Sequence, residues 1–342
     1  MSITPPPCTE HGALCHRATA LARPPMTLLL GLLLGLVMAA TLPARAQSNT
    51  PRASPGTLSN HIVHCDGKPR AVQLYLPSQY ATLPPMPVVY ALHGGGLNSR
   101  SMSGDPPGIK GAAERHGFIA VFPNGRPAPG GPLDQLYWRD DDVVFIDCLM
   151  TLAQGALRTD PRRTYVVGFS AGGHLAYQLA ADHVTAERIA AIATSASLAG
   201  KKKVEPPTSP WEVVDPNLAT VSQIRGRNAR VPSPVSALLL QGGLDAKHTV
   251  GGGYSVVAGD INFAFQMTVD LFRVAIRADQ EHALTLPGVP ARCEVKQYTS
   301  SLNSRHRVVS VIDPEMGHEW PDKHNWPFME AAWAFFGLVP TR

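Results

Sequence analysis

The segment Thr164–His183, TYVVGFSAGGHLAYQLAADH, joins a β-branched run to an apolar run of helical spacing through one G-x-S-x-G turn, Gly168-Phe169-Ser170-Ala171-Gly172. A strand entering such a turn and a helix leaving it require a sharp bend. Small residues flank the serine so that the backbone passes without Cβ clashes and Oγ points outward. An isolated match of this kind is often only a helix cap or turn former. Here the strand–turn–helix setting marks Ser170 as a nucleophile.

Outward from this turn, short apolar runs bounded by Gly and Pro alternate with longer amphipathic ones. Pro87–Leu92, Phe118–Phe122, Thr164–Gly168, Ile189–Thr194, Val235–Leu240 and Arg307–Ile312 read as buried strands. Asp142–Leu157, Ala171–Asp182, Ile261–Ala278 and Asn325–Phe336 have helical spacing. The alternation predicts an α/β fold with a mainly parallel central sheet and helices on both faces. Residues from Leu198 to Pro234 are rich in Pro, Lys and polar side chains and read as an insertion over one sheet edge.

A serine hydroxyl is a weak nucleophile and needs a base. In an α/β-hydrolase the acid follows the serine and the histidine comes last, and this order is present. The run Val235–Leu240 leads into Gln241-Gly242-Gly243-Leu244-Asp245, which places Asp245 at a strand's carboxyl end, with Asp260 as the spare acid. Arg307–Ile312 leads through Asp313-Pro314-Glu315-Met316-Gly317 to His318, the candidate base. Most of the 13 histidines, His248, His282 and His324 included, read as surface residues. Oxyanion donors are expected from the Ala171 amide, which follows the nucleophile at a helix start, and from Gly95 or Gly96 in His93-Gly94-Gly95-Gly96, directly after a strand. His93 is expected to anchor that loop. Tyr137-Trp138 and Trp320 read as candidate substrate-binding walls. Asp140-Asp141-Asp142 reads as a helix cap rather than a cation site, so no metal is called for, and Gly251-Gly252-Gly253 reads as a loop near Asp245.

Composition bounds the rest. With 342 residues, 44% hydrophobic and 16% charged, the chain is globular. A formal charge of +4 and no basic run longer than Lys201-Lys202-Lys203 exclude a nucleic-acid footprint. Leu28–Ala40 is an apolar run too short to span a bilayer. With Arg17 and Arg23 before it and Ala44-Arg45-Ala46 behind it, the run reads as a signal peptide over 1–46, leaving no stable membrane anchor after cleavage. A disordered leader is expected over 47–59 and a catalytic domain over 60–342. Export would place Cys65, Cys148 and Cys293 in an oxidising compartment, secreted or periplasmic, where at most one pair forms.

Taken together, Leu92-His93-Gly94-Gly95-Gly96, the Trp138…Asp142-Val143-Val144-Phe145-Ile146 segment, Gly168-Phe169-Ser170-Ala171-Gly172-Gly173, Gly317-His318-Glu319-Trp320-Pro321 and Trp333-Ala334-Phe335-Phe336 resemble secreted esterases of the polyhydroxybutyrate depolymerase family, relatives of feruloyl and acetylxylan esterases. The resemblance spans about residues 60 to 338. It implies an α/β-hydrolase fold and a serine esterase without cofactor, with Ser170, Asp245 and His318 as triad. The expected substrate is a small-molecule or oligomeric ester. An acyltransferase, or a binding protein that keeps the fold, remains open. The departures surround the acid, where the family's H-G-x-x-D and V-P-Y become Gln241-Gly242-Gly243-Leu244-Asp245 and Ala246-Lys247-His248-Thr249-Val250, and Asp322 stands where the family has Gly.

Overall fold

A ten-stranded mixed sheet carries the site. The computed structural model describes residues 53–65, 67–105, 108–201, 233–255, 260–324 and 326–340. The expected signal segment, most of the expected insertion and Lys202-Lys203 lie outside the described residues. Strands β1 (Leu58–Cys65), β2 (Lys68–Tyr75), β3 (Met86–Leu92), β4 (Ile119–Pro123), β5 (Thr159–Phe169), β6 (Ala191–Ser195), β7 (Ser236–Gly242), β8 (Gln280–Ala283), β9 (Glu294–Thr299) and β10 (Arg307–Asp313) lie in the order β1-β2-β4-β3-β5-β6-β7-β10-β9-β8. From β4 to β10 every pairing is parallel, and the outer strands on both sides pair antiparallel.

The central stretches of the parallel strands are apolar because both of their faces are covered. Val88, Val166, Ile192, Leu239 and Val308 pack with α2 (Asp142–Ala156), α3 (Ala171–Ala181) and α4 (Phe265–Ile276). Their neighbours Val89, Val167, Ala193, Leu238 and Val309 pack with α1 (Ile109–His116) and α5 (Phe328–Gly337). Successive residues thus serve opposite layers, as a pleated strand requires. Among the described residues, no helix is long and apolar enough to cross a membrane.

Several boundaries differ from the sequence reading. The ordered chain starts before residue 60: Gly56 N–H donates to Leu76 O (2.8 Å), and Leu58 pairs with Tyr75 at the start of the β1–β2 hairpin. Cross-strand partners order this end, and its polar composition does not announce them. The run Ile261–Ala278 is not one helix. Asp260–Asn262 is a strand in a small sheet with Gly253–Ser255 and Gly200–Lys201, and α4 begins only at Phe265. α5 begins at Phe328 because Pro327 occupies its N-cap position, where the missing N–H costs nothing. Cys65 and Cys148 form the disulfide and tie β1 to α2, while Cys293 is unpaired and half-buried.

Parallel strands align their carboxyl ends on one side of the sheet, and ligands of such sheets bind there. In register, Leu92 lies beside Gly168, Phe169 beside Ser195, and Gly242 beside Asp313. The loops that follow β3, β5, β6, β7 and β10 therefore converge on one edge.

Candidate active site

Ser170 sits at the β5–α3 bend with φ 51° and ψ −117°, a conformation that a residue with a Cβ adopts only under constraint. The constraint is local. A Cβ on Gly168 would lie 2.5 Å from Gly172 O, and one on Gly172 would lie 2.2 Å from Leu92 O. The motif's glycines thus mark places where backbone meets backbone. Ser170 N–H donates to Ser195 O (3.0 Å), and Ser170 O accepts from the Ser197 hydroxyl (2.7 Å), which fixes the bend against the end of β6.

The other two candidates meet this serine. His318 Nε2 lies 2.9 Å from Ser170 Oγ, and His318 Nδ1 lies 2.8 Å from Asp245 Oδ2. The loops that carry them interlock. Gly243 N–H donates to Asp313 O (2.8 Å) and Leu244 N–H to Met316 O (2.9 Å), while a Cβ on Gly242 would strike Met316 O at 2.2 Å. Asp245 also accepts from Gln241 Nε2 (2.9 Å) and from the Lys247 and His248 amides (2.9 and 2.8 Å). Burial alone would raise its carboxyl, but the bonds from His318, His248 and Gln241 outweigh it and hold the group below the ordinary carboxylate range. A carboxylate on Nδ1 puts the hydrogen there and leaves Nε2 free to accept the serine proton.

The glycine loop faces the helix start. A Cβ on Gly95 would lie 3.5 Å from the Ala171 Cβ, and among the described residues neither the Gly95 nor the Ala171 amide has an acceptor within the chain. Gly96 has to be withdrawn as a donor. Its N–H is spent on Leu136 O (2.9 Å), because the loop pairs with Leu136–Tyr137 through the Leu97–Leu136 bridge. His93 anchors the loop: Nε2 accepts from Gly125 N–H (3.0 Å), so Nδ1 carries the hydrogen and donates to Gly94 O (2.8 Å). Burial pushes this imidazole down to about 4, which keeps it neutral, and the nearby Arg70 cation acts in the same direction against the Gly94 bond.

Both tryptophans expected to wall a substrate pocket serve packing instead. Trp138 is 5% exposed, stacks on His93 at 4.5 Å and donates Nε1–H to His93 O (2.7 Å), bracing the loop from within. Trp320 is also buried, edge-on to Phe169 and Phe328. Their large apolar area draws both rings inward. The neighbouring Tyr137 is the ring that lies open. It is 41% exposed, with its edge 3.7 Å from where a Gly95 Cβ would stand. Tyr137, the last residue of the strand Leu136–Tyr137, and Trp138, the residue after it, have opposite environments, and composition cannot choose between them. The acidic run also acts differently from a side-chain cap. Asp141, at the N-cap of α2, makes no capping bond and pairs with Arg126, while buried Asp142 pairs with Arg70 (2.7 Å) and accepts from Arg139 N–H (2.6 Å).

His248 is the residue that sequence reasoning missed. Read as a surface histidine, it is buried beside His318. Its signal was its position three residues beyond the acid, inside the loop that departs from the family pattern. Asp245, His248 and His318 offer metal-ligand atoms within 4.8 Å of one another, but Asp245 and His318 spend theirs on each other and on Ser170.

Asp322 accepts from Trp320 Nε1–H (2.7 Å) and from Phe328 N–H (3.3 Å). Burial, reinforced by Asp105 and Glu330 and only partly offset by these bonds, pushes its carboxyl up to about 6. A folded-state value above the unfolded one means that the group's contribution is fully present below about pH 4 and is lost as pH rises through 6. The two-unit shift corresponds to about 3 kcal/mol, reduced to about 1–2 kcal/mol by partial solvent screening. Asp322→Asn loses this titration but sets its NH₂ against one of the two donors, so its stability relative to the parent is expected to be about 1 kcal/mol greater at pH 8 than at pH 4. Urea unfolding of both proteins at the two pH values checks this, and a difference between them that does not change with pH would refute it.

Residues 88–280 match the model of a family described by the alpha/beta hydrolase fold. The chain belongs to this alpha/beta hydrolase family. Its mainly parallel sheet with helices on both faces is that fold. Among relatives of this hydrolase, NocK of Nocardia uniformis subsp. tsuyamanensis, named as an esterase, is 27% identical over 289 residues, 79% of this chain and 76% of that protein. A protein of Aspergillus niger named as a feruloyl esterase C is 28% identical over 149 residues, 42% of this chain and 52% of that one. The solved acetyl xylan esterase from Aspergillus awamori superposes with a TM-score of 0.51 at 14% identity, covering 83% of this hydrolase and 100% of that chain, a likeness of fold alone.

Proposed function

We propose that the protein is an exported serine esterase that cleaves carboxylic esters through an acyl-Ser170 intermediate. The observation that carries the reading is the continuous bonded array from Ser170 Oγ through His318 to Asp245, beside the Ala171 and Gly95 amides. His318 Nε2 takes the Oγ proton as Oγ bonds to the ester carbonyl carbon. The oxygen, now carrying the negative charge, lies at the two amides, each donor contributing on the order of 3 kcal/mol at such a site. Collapse breaks the C–O bond, and the imidazolium gives its proton to the departing alcohol. Water, deprotonated by the same nitrogen, then releases the acid.

The substrates that fit are hydroxyalkanoate oligomers, or short acyl and aromatic esters of the feruloyl type. The names of the two sequence relatives favour an ester, and the open ring of Tyr137 offers an apolar or aromatic group a face beside the oxyanion loop. The Cys65–Cys148 disulfide favours an oxidising compartment, in keeping with the apolar run at 28–40. Hydrolysis of 4-nitrophenyl acetate and butyrate by the parent protein and by Ser170→Ala tests the reading. The variant is expected to lose about 10⁶-fold in kcat with an unchanged far-UV spectrum. Equal rates from both proteins would refute the nucleophile, and transfer to added glycerol in preference to water would make the protein an acyltransferase.

A further inference from the structure

His318 is held at its two nitrogens by Asp245 and Ser170. Two in-plane bonds leave the imidazole able to tilt about the axis that joins them. Keeping Nε2 aimed at Oγ takes contacts on the faces and flanks of the ring. Phe169 supplies one, with centroids 5.4 Å apart and planes at 43°.

The other comes from His248. Its ring meets that of His318 at 84° with centroids 4.8 Å apart, and it is 6% exposed. Its backbone N–H donates to Asp245 Oδ1 (2.8 Å). Its backbone carbonyl accepts from Gln241 Nε2 (2.7 Å), the same amide nitrogen that donates to Asp245 Oδ2 (2.9 Å). The ring is itself anchored. Nδ1 lies 2.8 Å from Ala196 O, and Ala196 is held at φ 53° between Ser195 and Ser197, the two residues bonded to the Ser170 backbone. The ring of His174 lies 5.1 Å away.

We infer that His248 is a positioning residue, holding the acid through its main chain and the base through the edge-to-face contact of its ring. The kinetic part of this inference rests on the serine-esterase reading, and the spectroscopic part does not. Two substitutions separate the ring from its anchor. His248→Asn keeps a donor on Cγ for Ala196 O and removes the aromatic contact, whereas His248→Phe keeps the contact and removes the donor. With 4-nitrophenyl acetate, His248→Asn is expected to lose roughly 10- to 100-fold in kcat, the scale of a misaligned catalytic group, with KM little changed. His248→Phe is expected to retain most of the parent kcat.

In proton NMR spectra, the downfield resonance of the His318 Nδ1 hydrogen shared with Asp245 is expected to broaden or vanish in His248→Asn and to persist in His248→Phe, with thermal unfolding showing both folded. Full activity and an intact resonance in His248→Asn, or loss of both in a folded His248→Phe, overturns the inference. Should the parent turn over no ester, the esterase reading falls and the resonance alone decides for His248. Should His248→Asn not fold, His248→Leu, which also removes the aromatic ring, takes its place in the same two readouts.

Discussion

Asp245→Asn is expected to lower kcat for 4-nitrophenyl esters by about 10⁴-fold, as the same exchange does in the triad of serine proteases, with the fold retained. The carboxylate accepts four hydrogen bonds, from His318, Gln241 and two backbone amides. An Asn can keep its oxygen on the Lys247 and His248 amides, but its NH₂ then faces His318 Nδ1. The imidazole must turn its lone pair to that nitrogen and its hydrogen to Ser170, the wrong tautomer for taking a proton. The NH₂ also faces Gln241 Nε2, a contact between two donors. Gln241 Oε1 is buried with no partner among the described residues, so an amide flip meets the Asn donor at the cost of the bond to His248 O. The stability loss should stay within about 1–3 kcal/mol, far less than the kinetic loss. Measuring kcat and the urea midpoint of the same preparation checks this. A variant that keeps more than about a tenth of parental kcat would remove Asp245 from the relay.

Gly172→Ala is expected to be among the most damaging single-methyl changes at the carboxyl edge of the sheet. Its Cβ would stand 2.2 Å from Leu92 O and 2.7 Å from His93 O, both backbone atoms that cannot rotate away. Relief requires α3 to move off β3, which pulls Ser170 from His318 and Ala171 from Gly95 together. Overpacking of a rigid site costs about 1–3 kcal/mol or more, and about 3 kcal/mol corresponds to a drop of roughly 6–12 °C in Tm. Thermal unfolding followed by circular dichroism measures it. An unchanged Tm with full activity would show that the helix start is not seated against β3 as described.

The sheet core and the triad order were legible because their signals are local. TYVVG and GFSAGG state in adjacent residues a strand, a bend and a helix, and Val235–Leu240 and Arg307–Ile312 each end one short loop away from Asp245 and His318. The outer strands β1, β8 and β9 were not legible. Their residues are largely exposed or half-buried, so no apolar run marks them, and only their partners order them. The lost helical start at Ile261 has the same origin: a strand pairing overrode a plausible period.

Chemistry that depends on position in a local pattern could be read from the chain alone: which serine is presented, which acid and histidine follow strands, and which glycines approach backbone. What depends on the partner of each group could not. The Gly96 amide turned to Leu136, Trp138 and Trp320 turned inward, Cys65 joined Cys148, and His248 left the apparent surface for the flank of His318. Each of these was settled by a residue at least 40 positions away. A one-dimensional pattern fixes the face a residue shows to its own strand or helix, whereas the group that meets that face is chosen by packing the strands and loops together.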